Sequence, residues 1–338
     1  MHRSIRGRRV LLAAAGLFIL AQGAAVAADP LRLTKPVQIT KDDINPGRLY
    51  LAPALAVDPA NPMHVAAGVT ELRTKTCTFM RSKDGGQTWQ RPEASPAPNT
   101  FPFCNTNNRG AFQGQVAFGR DSNLYYAFPG WDESDGGTRG NSSVLVARSD
   151  DLGDSWTTEV ARNNRGKQGE QQEYQRPIGS IAVDSRSGSA DSVYVGYTTR
   201  LTGFTGPNSA PNITTVLAST DGGRTWGEPR VLQENVGKQN VMSVTFRRLK
   251  PNATAGPLGL FYLVKNGPAD QKMYLRVSAD EAKTFGEPVC ATDGPGYHVM
   301  NNDRVTVLSN GRLVCPVSWT DDVFKKGGGH FVSFCYFS

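Results

Sequence analysis

Apolar residues in this chain come in short runs separated by turn-forming residues, with no sustained helical period. Runs at 54–57, 64–67, 115–118, 144–147, 178–181, 215–218, 241–244 and 304–307 are four residues long, several of them rich in Val and Ile. Short apolar runs bounded by Gly, Pro, Asn and Asp predict β-strands. The 36 glycines and 21 prolines fit the many turns such strands need. One stretch breaks the pattern. A basic start from Met1 to Arg9 leads into an apolar run at 10–21 and then Ala25-Val26-Ala27. That order predicts a cleaved export signal over residues 1–28, and secretion or periplasmic delivery of residues 29–338. The run falls short of the roughly 20 residues that span a bilayer, and no later run reaches that length. Arg8-Arg9 before Val10-Leu11-Leu12 is a weak twin-arginine match, and an ordinary basic leader is the simpler reading.

Self-comparison exposes a repeat. Ser82-Lys83-Asp84-Gly85-Gly86-Gln87-Thr88-Trp89 returns as Ser219-Thr220-Asp221-Gly222-Gly223-Arg224-Thr225-Trp226. Weaker copies occupy 149–156, with Asp151 and Trp156, and 278–285, with Asp280 and Phe285. Each copy follows a short apolar run. Asp accepts backbone N–H groups across a turn, Gly supplies positive φ, and Ser or Thr adds a local bond. The motif is therefore expected to be structural, a hairpin turn with an aromatic side chain packed beneath it. Around each copy the strands fall into fours at intervals of 59 to 70 residues. Four antiparallel strands repeated at that period predict a β-propeller, all-β and almost free of helix. Ser338 lies 60 residues after Ser278, at the spacing of a fifth motif. The expectation is a six-bladed propeller represented by about five blades, a fragment into whose last blade residues 31–39 would pair.

The repeated S-x-D-G-G-x-T-W resembles the Asp-box, or BNR repeat, of the sialidase superfamily. The resemblance covers residues 40–338 and is nearest to secreted bacterial sialidase-like proteins, through Asn240-Val241-Met242-Ser243 and Asn301-Asn302-Asp303-Arg304. It implies an exo-α-sialidase type of glycoside hydrolase or a variant acting on another acidic glycan. The alternative it leaves open is a non-catalytic propeller that binds glycan or protein. Catalytic members use three arginines on the sugar carboxylate, a Tyr–Glu nucleophile pair and an Asp acid/base, outside the usual two-carboxylate scheme. Here Leu51 stands where the first arginine is expected, and Glu71-Leu72-Arg73 matches a Glu-x-Arg element. Thr74-Lys75-Thr76 carries no acid where the aspartate loop belongs. Asn240 stands near a family glutamate, and Lys265 near a family arginine.

Strand parity places the motif turns at one end of each blade and the long insertions, 130–141, 163–176, 199–212 and 291–302, at the other. Long loops on a rigid frame are where binding concentrates. That end is expected to gather Arg73, Arg109, Trp131, Asp132, Glu173, Tyr174, Arg176, Lys265, Tyr297, His298, Asn301, Asn302, Asp303 and Arg304. Arg73, Arg176, Lys265, Asn301, Asn302 and Arg304 are the candidate substrate contacts, since arginine forks suit carboxylates. Glu71 and Asp303 are the candidate acid/base groups.

Charge and cysteine content narrow the picture further. The formal net charge is +7, but Arg3, Arg6, Arg8 and Arg9 lie in the leader, and removing them leaves +3. No Lys/Arg block remains to suggest nucleic-acid binding. Five cysteines leave one unpaired. Cys77 and Cys104 flank one motif and form the first candidate disulfide. Cys315 and Cys335 are equidistant from a turn near Phe324-Lys325 and form the second, leaving Cys290. No C-x-x-C is present and His64, His298 and His330 are isolated, so no metal or cofactor is expected. Nucleotide and hydrolase signatures such as G-x-G-x-x-G after a strand, G-x-S-x-G and H-E-x-x-H are missing. A monomer acting on a glycan is the expected state.

Overall fold

The structure, a computed structural model, describes residues 35–40, 49–104, 114–131, 142–163, 173–185, 188–201, 212–250, 257–280, 282–292, 294–300, 304–323 and 330–338. Residues 1–36 form one unit and 37–338 another, and the second holds every strand that follows. The fold is all-β, built of antiparallel propeller-type sheets. The one helical element among the described residues is a 3-10 turn at Arg120–Ser122.

The first sheet has strands β1 (Tyr50–Val57), β2 (Val65–Glu71) and β3 (Thr76–Ser82) in sequence order. A single Arg81–Gln90 bridge stands where a fourth strand would run. The second sheet is β4 (Gln115–Phe118), β5 (Leu124–Trp131), β6 (Ser142–Ser149) and β7 (Thr157–Asn163). The third is β8 (Glu173–Asp184), β9 (Ser192–Leu201), β10 (Asn212–Ser219) and β11 (Arg230–Gln233). Their up-and-down order needs only short connections at one end, which is why local turn chemistry can set it.

The last sheet departs from the separate fours that the sequence suggests. It joins β12 (Asn240–Arg248), β13 (Leu258–Gly267), β14 (Asp270–Ser278) and β15 (Val289–Cys290) to β17 (Thr306–Val307), β18 (Leu313–Thr320) and β19 (Val332–Phe337). The bridge is β16 (Gly296–Val299), parallel to β14 and antiparallel to β18. The cause is local. β15 is two residues long and pairs only with Tyr274 and Leu275, so the Asp270–Gln271 edge of β14 is left for Gly296 and Tyr297.

Cores lie between neighbouring sheets. Phe79 from the first packs with Phe118, Tyr126, Phe128 and Leu145 from the second. Tyr125 and Val146 of the second pack with Ile178, Val193, Val195 and Leu217 of the third. Leu232 and Val216 of the third meet Val241, Leu260 and Tyr262 of the last. Burying both sheet faces in this way is what lets sheets of these lengths hold together.

Each motif forms the turn after a third strand, with one bonding scheme used four times. The hydroxyls of Ser82, Ser149, Ser219 and Ser278 donate to Asp84, Asp151, Asp221 and Asp280 at 2.7 Å. The same hydroxyls accept the N–H groups of Gly86, Gly153, Gly223 and Ala282 at 2.7–2.9 Å. Each aspartate accepts both the N–H and the hydroxyl of Thr88, Ser155, Thr225 or Thr284. Bonds from Thr88 and Ser82 hold the Asp84 carboxyl down at about 2. For Asp151 and Asp221, burial pushes upward but the same type of bonds prevails, again giving about 2.

Cys77 and Cys104 are joined by a disulfide, Cα atoms 5.5 Å apart, which ties the loop after the first motif back to β3. The expected Cys315–Cys335 bond is not formed. In the β18–β19 register Cys315 faces Tyr336, while Cys335 faces Pro316. The one-residue offset puts the two thiols on opposite faces, Cys315 buried and Cys335 exposed. Burial pushes the Cys315 thiol up to about 11. Cys290 is also free.

Candidate functional site

Inter-sheet contacts show that the motif ends of the sheets lie together. Arg81 of β3 reaches the second motif, with Nη2 2.6 Å from Asp154 and Nη1 donating to the Leu152 carbonyl. The Tyr125 hydroxyl of the second sheet donates to Asp191, before β9, at 2.8 Å, and the Asp191 carbonyl accepts the N–H of Gly222 in the third motif. The opposite, loop-rich ends carry the starts of the first strands and the exits of the second strands. Glu71, Arg73, Lys265 and Arg304 all sit at those loop ends.

Three of the first strands, β1, β8 and β12, share a deformation near this end. The pairing of β1 with β2 slips between Leu51 and Ala54, that of β8 with β9 between Gln175 and Ile178, and that of β12 with β13 between Met242 and Thr245. Two of these bulges contain a proline, Pro53 and Pro177, which has no N–H for a ladder. In the third, Ser243 takes φ 58°, a left-handed value rare for a residue with a side chain. Bulges re-aim side chains and gather beside sites. Arg176 lies inside the second, with its side chain outside the described residues.

Glu71 is wholly buried and fully engaged. Its carboxylate accepts N–H groups from Leu49 (3.3 Å), Arg73 (3.0 Å) and Thr74 (2.6 Å), and the Thr74 hydroxyl as well. Burial pushes its pKa upward, but the bonds from Thr74, Arg73 and Leu49 prevail and hold it below the usual glutamate value. A carboxylate with every lone pair occupied has no proton to give. Glu71 closes the β2–β3 turn, and the acid/base role suggested for it is not available in this geometry, where its four acceptor positions are taken.

That turn leaves Arg73 exposed. Lys265, half-buried near the end of β13, holds Nζ 5.2 Å from the centre of the Tyr297 ring. Its carbonyl accepts the N–H of Gln239, and β16 brings Tyr297 alongside through the Gln271 pairing. Asn266 braces the same corner, accepting the Lys238 N–H at 3.0 Å and donating to Asp270 at 3.1 Å. The result is a positioned ammonium beside an aromatic face, suited to an anionic or hydroxyl-rich ligand. His298 is buried instead of facing that end. Its Nδ1 lies 3.0 Å from the Gln271 carbonyl, and its own carbonyl accepts Gln271 Nε2 at 2.8 Å. Arg304 is exposed just before β17. Asn301, Asn302, Asp303, Arg109 and Asp132 lie outside the described residues, as do the side chains of Trp131, Glu173 and Tyr174.

Sequence reasoning placed Lys265 and Tyr297 at one end but missed their contact, which depends on the β14–β16 bridge. It also missed the three bulges, although Pro53 and Pro177 mark two of them. Among the described residues no cluster of His, Cys, Asp and Glu could hold a metal ion, and no helix is long and apolar enough to cross a membrane.

No family model and no curated protein matches the chain. Solved structures do. A Hadza microbial sialidase aligns with TM-score 0.48 and 15% identity, over 86% of this chain and 52% of its own. This chain thus spans about half the length of that enzyme. An α-L-arabinanase from Penicillium chrysogenum gives 0.47 and 14%, over 84% and 80%. An exo-β-1,3-galactanase from Phanerochaete chrysosporium gives 0.47 and 14%, over 83% and 62%.

Proposed function

We propose that the protein is an exported Asp-box propeller of the sialidase superfamily that acts on acidic glycans, as a sialidase-like glycoside hydrolase. The observation that carries this reading is the Lys265–Tyr297 pair at the loop end, with Nζ 5.2 Å from the ring centre. Exposed Arg73, at the exit of a second strand like Lys265, and exposed Arg304, before a first strand, add two forked cations for a carboxylate or sulfate. In this scheme Lys265 holds the anionic group as a point charge, Tyr297 keeps the ammonium in place, and the bulged first strands aim side chains at the sugar. Glu71 has no lone pair to spare, so proton transfer falls to Asp303.

Glu71 favours a second reading, a propeller that binds acidic glycans without cleaving them. Hydrolysis of a fluorogenic sialoside, followed by uronic acid and sulfated glycosides, separates the two. Turnover on any of these that Asp303→Asn abolishes and Lys265→Met weakens through KM supports the enzyme. Glycan binding that Lys265→Met weakens, with no turnover on the panel, supports the binding module. Neither turnover nor binding refutes both.

A further inference from the structure

The residues before each motif explain a vacancy between the third and last sheets. One residue before the motif serine stand Arg81, Arg148, Ala218 and Val277, and two residues earlier stand Phe79, Val146, Val216 and Leu275. In the first sheet these positions fill the gap to the next. Arg81 bonds the second motif, and Phe79 meets the Trp156 ring edge-on at 5.0 Å. In the third sheet Ala218 and Val216 are too short to do so. Arg230 of β11 donates to the Ala282 carbonyl of the fourth motif instead. Beneath it lies a cleft of about 520 Å³, at the motif end of the molecule and away from Lys265.

The lining states what would fit. Val216, Leu232, Phe246 and Leu258 provide apolar walls, and the Tyr194 ring, 40% exposed, forms a side. Ser180, 8% exposed, sets a hydroxyl in the cleft beside Gly196. A Cβ at Gly196 would lie 3.0 Å from that hydroxyl oxygen and cover it. Arg230 pairs with no carboxylate among the described residues; Glu228, which lines the cleft together with Asp184 and Arg248, lies 3.4 Å from Arg162. An apolar cleft of several hundred Å³ with a few polar groups is the usual form of a small-molecule site.

We propose that this cleft binds a small aromatic anion, its ring between Tyr194 and Phe246, its acid group on Arg230 and a polar substituent on Ser180. The site is separate from the glycan end and does not depend on the activity assigned there.

The test is a fluorescence titration of the full chain with 1-anilinonaphthalene-8-sulfonate. The expected result is saturation at one equivalent, weakened about tenfold by Arg230→Gln, the usual scale for losing one charge-assisted bond. Ala218→Met, which intrudes on the cleft, weakens binding at least fivefold. Ala218→Arg, which restores the arrangement of Arg81, abolishes it. If Ala218→Arg fails to fold, Ala218→Met decides. The dye could also settle on exposed Phe334 and Phe337, so Phe334→Ser/Phe337→Ser must leave the affinity unchanged. No saturable binding, binding within twofold of wild type in both Ala218→Met and Arg230→Gln, or binding lost with the two phenylalanines would each overturn the proposal.

Discussion

Ala282→Gly should stabilise this protein, against the usual direction of such a change. The fifth position of the motif is left-handed in all four copies, with φ of 90° at Gly86, 91° at Gly153, 79° at Gly223 and 63° at Ala282. A side chain in that conformation costs about 1–2 kcal/mol, which glycine avoids. Glycine in turn makes the unfolded chain freer, worth about 0.4–1 kcal/mol against folding. The net expectation is a gain of about 0.5–1 kcal/mol. The Ala282 N–H bond to Ser278 is backbone and survives the change. Gly223→Ala is the reciprocal test, because its new methyl would meet Tyr125 at 3.7 Å and Trp226 at 3.8 Å, ordinary contacts. Any loss there reports backbone alone, unlike Gly153, where a Cβ would collide with Phe79 at 2.5 Å. Urea unfolding followed by tryptophan fluorescence measures both, as shifts in midpoint at constant m. Stability lowered by Ala282→Gly, or unchanged by Gly223→Ala, would refute the idea that positive φ decides this position.

Acid should unfold the protein through its motif turns. Asp84, Asp151 and Asp221 are depressed to about 2, so their stabilisation is complete above the ordinary carboxylate range and is lost as pH falls from about 4 toward 2. A fluorescence-monitored titration that stays flat over that interval contradicts this. Removing the Cys77–Cys104 disulfide, which spans 27 residues, should cost about 3.5 kcal/mol on the loop-entropy estimate, read by urea unfolding of the double Ser variant with and without reductant. Glu71→Gln should lower stability by about 1–3 kcal/mol, because it replaces an acceptor of four bonds. Any hydrolytic activity should persist in the folded fraction of that variant, and selective loss of kcat with unchanged stability would restore Glu71 to the chemistry.

The motif turns were legible because their determinants are local. Ser, Asp, Gly and Thr at fixed offsets bond to one another within eight residues, and no distant partner is needed to identify them. The strands at 54–57, 115–118, 178–181 and 241–244 were legible for the same reason, as short apolar runs bounded by turns. Register was not. Cys315 and Cys335 are symmetric about a turn, yet facing requires matching parity as well as matching distance, and the ladder puts Tyr336 opposite Cys315. Glu71 fits a Glu-x-Arg pattern and also a turn-closing Glu-x-x-Thr, and only the bonds to Thr74 separate the two. The Lys265–Tyr297 contact depends on β14 having an open edge, which follows from where β15 stops.

The parallel pairing of Asp270 and Gln271 with Gly296 and Tyr297 has a consequence for how the molecule can be taken apart. In an array of independent sheets, each can open while its neighbours stay closed, and amide exchange then reports a separate free energy for each. Here β16 stitches the last two strand groups into one ladder, so neither opens without breaking bonds to the other. Amides of the strands from β12 to β18 should therefore exchange as one cooperative block, and the seam at Gly296–Val299 is a poor place for a circular permutation or a domain insertion.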